Sequence, residues 1–165
     1  MEEARSDAGL TDARLDFQNR FYDSIRHRAA ARVAERPAVT GSFDLLRGHK
    51  YCLLVTFKRS GEAVPTPVWF GLDGPGRLYV RTGRDVAKVR RIRNDPRVLV
   101  APCTLRGKPA GDPVEGRARV VAPGEEEQAE AALAANYGLG RRLYERVGDA
   151  VGGDACYLEV VPVAA

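Results

Sequence analysis

The sequence predicts a mainly β (α+β) domain in which six short antiparallel strands form a barrel, with helices over its ends. Six runs rich in β-branched and aromatic residues are separated by short turns that contain glycine or proline. The helical segments do not alternate regularly with these runs, which disfavours a doubly wound parallel sheet and favours an antiparallel barrel. A chain of 165 residues with 44% apolar and 29% charged residues is long enough to bury one core.

The predicted barrel domain covers residues 41–165, and its first three strands are joined by glycine turns into an antiparallel meander. Asp85 is the expected cap of a short helix that Pro96 ends. In the fifth strand, small or apolar residues alternate with charged ones, which indicates one buried side. The predicted strands are 50–57, 64–72, 77–82, 97–103, 114–121 and 154–161, and the predicted helices are 42–48, 86–94, 125–135 and 139–147.

Residues 1–40 are predicted to form an arm, over 1–10, and an amphipathic helix, over 12–35. Thr11 can cap this helix and Pro37 ends it. One stripe of the helix is apolar, so it is expected to pack on its own subunit or on a partner subunit. The stripe consists of Leu15, Tyr22, Ile25, Ala29 and Val33.

The composition excludes several classes of protein. No apolar run approaches the ~20 residues of a membrane span, and the acidic, polar N-terminus is unlike a secretory signal. Cys52, Cys103 and Cys156 are far apart, so we expect buried thiols in a reducing cytoplasm, with a catalytic thiol as the alternative. The two histidines, His27 and His49, are too few for a His-rich metal site or most His-based triads, so no metal is expected.

A basic cluster lies between residues 84 and 97, a segment that contains six basic residues and two acidic ones. This excess equals the net charge of +4 of the whole chain and indicates a local anionic partner, either nucleic acid or a phosphate on a small ligand. A solvated helix face is the alternative. The helix at 86–94 has no aromatic residues among its arginines, which disfavours nucleic acid.

Two patterns within the barrel indicate a ligand site. Pro65 and Pro67 lack N–H donors on the same side of one strand, so that side is a sheet edge or is open to a planar ligand. An ordinary edge strand with core aromatics is the alternative interpretation. Further along, Thr82 ends a strand before a helix that carries Lys88 and Arg91 on one face. Together with the helix amides, these residues can bind a phosphate.

These patterns occur together with further runs that resemble a known family. The runs are PTPVWF, GRLYVRT, KVRRIRNDPRV, APCTLRG and VEGRARVV, within residues 42–122. They resemble the flavin/deazaflavin oxidoreductases of the pyridoxamine 5'-phosphate oxidase-like (PPOX class) split β-barrel superfamily. Within it, the similarity is to the branch that binds the deazaflavin coenzyme F420. The C-terminal strand resembles the family loosely, and the N-terminal helix lies outside the resemblance.

The resemblance implies a six-stranded split β-barrel that forms a homodimer, with cofactor sites at the interface. The flat ring of the cofactor is expected along one strand and its phosphate near the basic helix. The spacing from Thr82 to Lys88 matches the family pattern, while no catalytic residue is assigned. The implied cofactor-binding residues are Pro65, Thr66, Pro67, Val68 and Trp69 for the ring and Arg81, Thr82, Lys88 and Arg91 for the phosphate.

The implied function is hydride transfer between a reduced deazaflavin and a small conjugated acceptor. An FMN-dependent enzyme and a non-catalytic flavin, deazaflavin or haem carrier are the alternatives. The deazaflavin has a longer anionic arm than FMN, and Arg84, Arg90 and Lys108 can extend the basic groove that would hold it. Trp69 is expected either in the core or at the substrate, and the candidate proton donors are Tyr51, Tyr79 and Tyr137.

Overall fold

The architecture was obtained from a computed structural model that describes residues 28–138 and 154–165. Residues 1–27 and 139–153 lie outside this range, and with them most of the predicted N-terminal helix, His27 and the helix predicted at 139–147. The strands are β1 (Tyr51–Phe57), β2 (Ala63–Trp69), β3 (Gly71–Leu72), β4 (Leu78–Gly83), β5 (Arg97–Cys103), β6 (Val114–Val120) and β7 (Ala155–Pro162). The helices are α1 (Ala87–Asn94) and α2 (Glu126–Tyr137), with two 3-10 helices, Arg28–Glu35 and Asp44–Leu46.

The described strands form one antiparallel sheet in the order β2-β1-β5-β6-β7-β4-β3. The two edge strands, β2 and β3, follow one another in sequence with only Phe70 between them. Because a single residue joins opposite edges, the sheet must curl until these edges meet. The predicted mainly β, antiparallel curled architecture with helices is therefore confirmed.

The strand count differs from the prediction because one predicted strand is two. The run at 64–72 breaks at Phe70, so that β2 pairs with β1 whereas β3 pairs with β4. The predicted three-stranded meander is confirmed in part. The second run pairs antiparallel with the first through β2 and with the third through β3, but the break interrupts it, and β4 pairs along its whole length with β7. The other strand bounds agree with prediction within one residue, and β5 agrees at both ends.

The barrel interior holds the main core, to which every strand contributes. Helix α1 closes one end of the barrel by inserting Val89 and Ile92 into this core. The outer face of β1 and β5 is covered by the 3-10 helix Arg28–Glu35, which buries Ala30 and Val33 there. The described part of the predicted N-terminal helix therefore packs on its own subunit, as a 3-10 helix.

Helix α2 packs on the outer face of β3, β4 and β7. It approaches Gly71 so closely that a Cβ atom there would lie 2.3 Å from the backbone carbon of Ala132. Glycine at this position permits the contact between helix and strand.

No helix in the described ranges is long and apolar enough to span a membrane.

Candidate functional site

The two patterns singled out in the sequence face each other where the curled sheet fails to close. β3 pairs Gly71 with Tyr79, and the same register continued backwards would set Trp69 opposite Arg81. The pairing stops at Gly71, although β2 and β4 approach one another there. We call the unpaired stretch between residues 65–69 of β2 and 81–83 of β4 the seam.

The β2 side of the seam is an edge, as the prolines predicted. Pro65 and Pro67 pair with Val55 and Leu53 of β1 and leave the other side of β2 without a strand. Since proline has no N–H, this edge offers few donors to another strand. The ring of Pro67 also supports the loop after β5, because a Cβ atom on Gly107 would lie 2.9 Å from it.

Strand alternation divides the predicted ring-binding residues between two faces. Val68 is buried in the barrel core, and Thr66, two positions earlier, is on the same side of β2. Pro65, Pro67 and Trp69 are on the outer side, where Pro65 is buried and Pro67 and Trp69 are half-buried. Of the predicted ring-binding residues, Pro67 and Trp69 are therefore partly accessible on the outer face, whereas Pro65 and Val68 are buried.

The other side of the seam carries the predicted phosphate residues. The ammonium of Lys88 donates to the hydroxyl of Thr82 at 3.3 Å. One turn of helix further, Arg91 Nε donates to the hydroxyl of Thr56 on β1 at 2.7 Å. Helix α1 thus brings two cations and two hydroxyl groups together over the end of the barrel, and we call these residues the Lys88 cluster.

The environment of Lys88 disfavours its charge. Burial lowers the pKa of Lys88 to about 8, and the positive charge of Arg91 lowers it as well. Within the described residues, Lys88 contacts a hydroxyl and has no ion pair with a carboxylate. An anion bound beside such a lysine would supply the counter-charge that its described neighbours lack.

The helix start differs from the prediction. Helix α1 begins at Ala87 after Val86, and no side chain caps it, so the expected cap at Asp85 is wrong. Asp85 is instead exposed. Its carboxylate therefore does not occupy the amide groups of the first turn, which point out of the N-terminal end of the helix.

The remaining basic candidates are not all in one place. Arg81 neighbours Thr82 in β4 and therefore lies on the opposite, outer face of the strand, on the side of Trp69. Arg84 pairs with Asp154 at 2.8 Å. Arg90 lines a shallow cleft of about 180 Å³ together with Phe57, Arg59, Arg91 and Asn94, and Lys108 is exposed in the loop after β5.

The three tyrosines considered as proton donors have different environments. The Tyr79 hydroxyl donates to Glu159 at 3.0 Å, and burial together with this carboxylate raises its pKa. The Tyr137 hydroxyl donates to the carbonyl of Lys50. Among the described residues no hydrogen bond engages the Tyr51 hydroxyl, and the Tyr51 ring lies against Trp69 at 6.0 Å between centroids.

The cysteines are free and buried, as predicted. Burial raises the pKa of all three thiols, to about 12 for Cys103, so they are protonated near neutral pH. In the described ranges no group of histidine, cysteine and acidic residues is arranged to hold a metal ion. The groups described at the seam and the Lys88 cluster are cations, hydroxyls and aromatic rings.

Residues 42–150 match the sequence model of pyridoxamine 5'-phosphate oxidase, and the match includes both sides of the seam. The chain belongs to the pyridoxamine 5'-phosphate oxidase family. The superfamily expected from the sequence is thereby confirmed, and its deazaflavin-binding branch is taken up as a proposal below. No curated protein matches the chain.

Solved structures share the pyridoxamine 5'-phosphate oxidase-like fold at low identity. A candidate 5-nitroimidazole antibiotic resistance protein from Bacteroides thetaiotaomicron superposes with a TM-score of 0.55 at 12% identity, covering 77% of this chain and 85% of that one. The heme storage protein HutZ from Vibrio cholerae gives 0.53 at 15%, covering 74% and 87%. An FAD-binding protein from Mesorhizobium loti gives 0.51 at 14%, covering 72% and 82%. At these identities the similarity shows the fold.

Proposed function

We propose that this protein is a coenzyme F420-dependent oxidoreductase that transfers a hydride between the reduced deazaflavin and a small conjugated acceptor. The observation that carries the proposal is the position of Lys88 at the end of an unpaired seam, as a half-buried cation that has no carboxylate partner among the described residues. Membership of the pyridoxamine 5'-phosphate oxidase family and an FAD-binding structural neighbour support a flavin-like ligand.

The Lys88 cluster supplies the groups that a phosphate needs. Lys88 brings a positive charge, Thr82 a hydroxyl donor, and the uncapped start of α1 its amide groups. An anion at this position would stabilise the protonated form of Lys88 and offset the cost of its burial. We therefore assign the phosphate of the cofactor to Lys88 and Thr82, with Arg91 beside them.

The edge of β2 suits the flat ring. The outer side of this strand presents Pro67 and Trp69, next to the buried Pro65, and the prolines prevent β4 from closing the seam by a regular ladder. Arg81 lies on the same outer side and can contact an electron-rich edge of the ring. The seam thus offers apolar surface for a ring next to a cationic end for its phosphate arm.

The bound deazaflavin supplies a hydride from its ring carbon, so the chain has to bind, orient and exclude water. The acceptor then needs a proton, and of the three tyrosines only Tyr51 has a hydroxyl without a described hydrogen bond. We assign proton donation to Tyr51 or to water near it. Trp69, beside Tyr51, forms the wall of the acceptor space.

The cleft beside α1 favours the deazaflavin over FMN. Arg59, Arg90 and Arg91 line it, so basic surface is available beyond Arg91, whereas FMN carries no further charge beyond its phosphate. The longer anionic arm of coenzyme F420 can use this surface. Arg84 contributes less than the sequence predicted, because Asp154 already pairs with it.

Among the described residues, the cysteines offer no ready axial ligand to a haem, while His27 lies outside the described range. Haem needs an axial ligand, and the three thiols are buried and protonated. His49 is half-buried, and its carbonyl accepts a bond from the Asn136 amide near the start of β1.

The homodimer implied by the resemblance belongs to this proposal, and light scattering of the purified protein tests it.

The deciding experiment is a pair of fluorescence titrations of the purified protein, one with oxidised coenzyme F420 and one with FMN. We expect micromolar or tighter binding of the deazaflavin and weaker binding of FMN. Tight binding of FMN alone would assign the protein to the FMN-dependent enzymes. Binding of neither would overturn the proposal and direct the search to haem.

A further inference from the structure

The break between β2 and β3 coincides with side chains from the C-terminal end of α2. The β1–β2 ladder ends at the pair Tyr51 and Trp69, so the next position would set Lys50 opposite Phe70. At that position the Phe70 N–H donates to the hydroxyl of Tyr137 at 3.0 Å, and this hydroxyl donates to the Lys50 carbonyl. The Tyr137 hydroxyl is therefore inserted between the two strands.

Asn136 completes the insertion. Its side-chain amide donates to the carbonyl of Phe70 at 2.7 Å and to the carbonyl of His49 at 3.4 Å. The ammonium of Lys50 in turn donates to the backbone carbonyl of Asn136 in the last turn of α2. We call Asn136 and Tyr137 the wedge. Because the wedge satisfies backbone groups that lose their ladder partners, it stabilises the divergence of β3 from β1.

The wedge also determines the orientation of Trp69. The Tyr137 ring stacks on the indole with 4.6 Å between centroids and an angle of 17°. Tyr51 contacts the indole edge-on, at 69°. Trp69 is the last residue of β2 and lies on the outer side of the seam. One side chain, Tyr137, thus both separates the strands and holds the aromatic ring at the seam.

We propose that Tyr137 is a positioning residue for the flat ring of the cofactor, acts through Trp69, and is not a proton donor. This inference rests on the function proposed above, which assigns the ring to the seam. The described contacts of the wedge are with His49, Lys50, Trp69 and Phe70, and none is with Lys88. Loss of the wedge therefore weakens ring binding and leaves phosphate binding intact.

The test uses two ligands and three variants. The ligands are oxidised coenzyme F420 and its phosphate-free deazaflavin chromophore, and the variants are Tyr137→Phe, Tyr137→Leu and, as control, Tyr79→Phe. Tyr79 also packs against α2, and in the control it loses one hydroxyl bond to Glu159, which has no described contact with the wedge. The control is expected to lower thermal stability and to leave both affinities unchanged.

We expect the Kd of the chromophore to rise about threefold in Tyr137→Phe, which keeps the stacked ring, and about tenfold in Tyr137→Leu, which loses it. In each variant, the ratio of the Kd of the chromophore to the Kd of coenzyme F420 is expected to stay constant, because this ratio reports the contribution of the phosphate arm. Trp69 is the only tryptophan, so acrylamide quenching of its emission gives a second readout. Quenching is expected to increase in Tyr137→Leu.

Unchanged chromophore affinity in both Tyr137 variants, or unchanged Trp69 quenching in Tyr137→Leu, would overturn the inference. Weaker binding of coenzyme F420 with unchanged binding of the chromophore would overturn it as well. If the wild-type protein binds neither ligand, the proposed function fails and the inference fails with it. If the wild type binds both ligands and the variants bind them equally well, only the inference fails.

Discussion

Two charged clusters lie on opposite sides of the barrel wall and are satisfied in different ways. On the outer face, the carboxylate of Glu159 accepts bonds from Tyr79 at 3.0 Å and from Arg119 at 2.9 Å, with Arg77 at 3.7 Å. We call this set the Glu159 cluster. In the Lys88 cluster the cation of Lys88 meets a hydroxyl and, within the described residues, no carboxylate.

The pKa shifts express the same difference. Burial alone would raise the pKa of Glu159, but the bonds from Arg119 and Tyr79 outweigh it and lower the pKa. The pKa of Lys88 falls to about 8, because burial and Arg91 both oppose its charge. Removing one partner from an internally paired cluster destabilises the fold, whereas a cluster with a surplus cation is suited to an external anion.

The largest effect is expected for Lys88→Met. Removing a charge-assisted bond to the phosphate weakens coenzyme F420 binding about 10- to 100-fold. The free energy of unfolding does not fall, because the variant removes a desolvated charge next to Arg91. Fluorescence titration and denaturant unfolding measure the two quantities. Lys108→Met, which changes an exposed lysine, is the control and retains the affinity. Unchanged affinity in Lys88→Met would remove Lys88 from the site.

Glu159→Gln is expected to lower stability without changing the binding of the cofactor. The amide keeps acceptor capacity but loses its charge beside two half-exposed arginines, so the free energy of unfolding falls by about 2 kcal/mol. Binding of coenzyme F420 stays unchanged. Glu115→Gln, on the exposed side of β6, is the matched control and has almost no effect. Loss of cofactor affinity in Glu159→Gln at unchanged stability would contradict the division between the two clusters.

The pKa of Lys88 predicts how binding depends on pH. Binding of the anion needs the protonated amine, so affinity for coenzyme F420 falls up to about tenfold between pH 7 and pH 9. Lys88→Arg stays protonated and flattens this profile. Since the folded-state pKa of about 8 lies below the ordinary 10.5, the unfolded chain binds more protons in this window. Stability of the wild type relative to Lys88→Met therefore rises from pH 8 to 10.5. A wild-type binding profile that is flat up to pH 9 would contradict the assignment.

The smallest effect is expected for Arg90→Ala. Arg90 is exposed on the rim of the cleft beside α1, so a contact to the anionic arm of coenzyme F420 contributes only about two- to threefold in affinity. FMN binding is expected to stay unchanged, because FMN has no anionic arm beyond its phosphate. Arg93→Ala, on an exposed part of the same helix, is the control. An equal loss for both cofactors would show that Arg90 acts on the phosphate instead of the arm.

Local patterns predicted the strands and both sides of the site. The alternation of apolar and charged residues in β6 matches its observed alternation of buried and exposed residues. The prolines of β2 correctly indicated a sheet edge, because the missing N–H is a property of the residue itself. The spacing from Thr82 to Lys88 correctly indicated that a hydroxyl and an ammonium lie together, because only a tight turn and the first turn of a helix separate the two residues.

Contacts between distant segments were not predictable in this way. The sequence shows a continuous strand through Phe70, and the break there depends on Tyr137, 67 positions along the chain. The sequence predicted a break between two helices at residues 136–138, which was the one local sign of the wedge. Helix α2 in fact includes Asn136 and Tyr137, and Gly138, whose φ of 49° suits glycine, caps it.

The sequence alone determined which segments are strands, which edge cannot pair and which helix carries the cations, because alternation, proline chemistry and helical spacing act between near neighbours. The tertiary structure decided that these two segments face each other across the seam and that Arg81 and Thr82 serve opposite faces. It also decided that Lys88 is desolvated while Arg119 is paired. Burial and long-range pairing depend on which distant groups the closing sheet brings together, and this is a property of the whole fold.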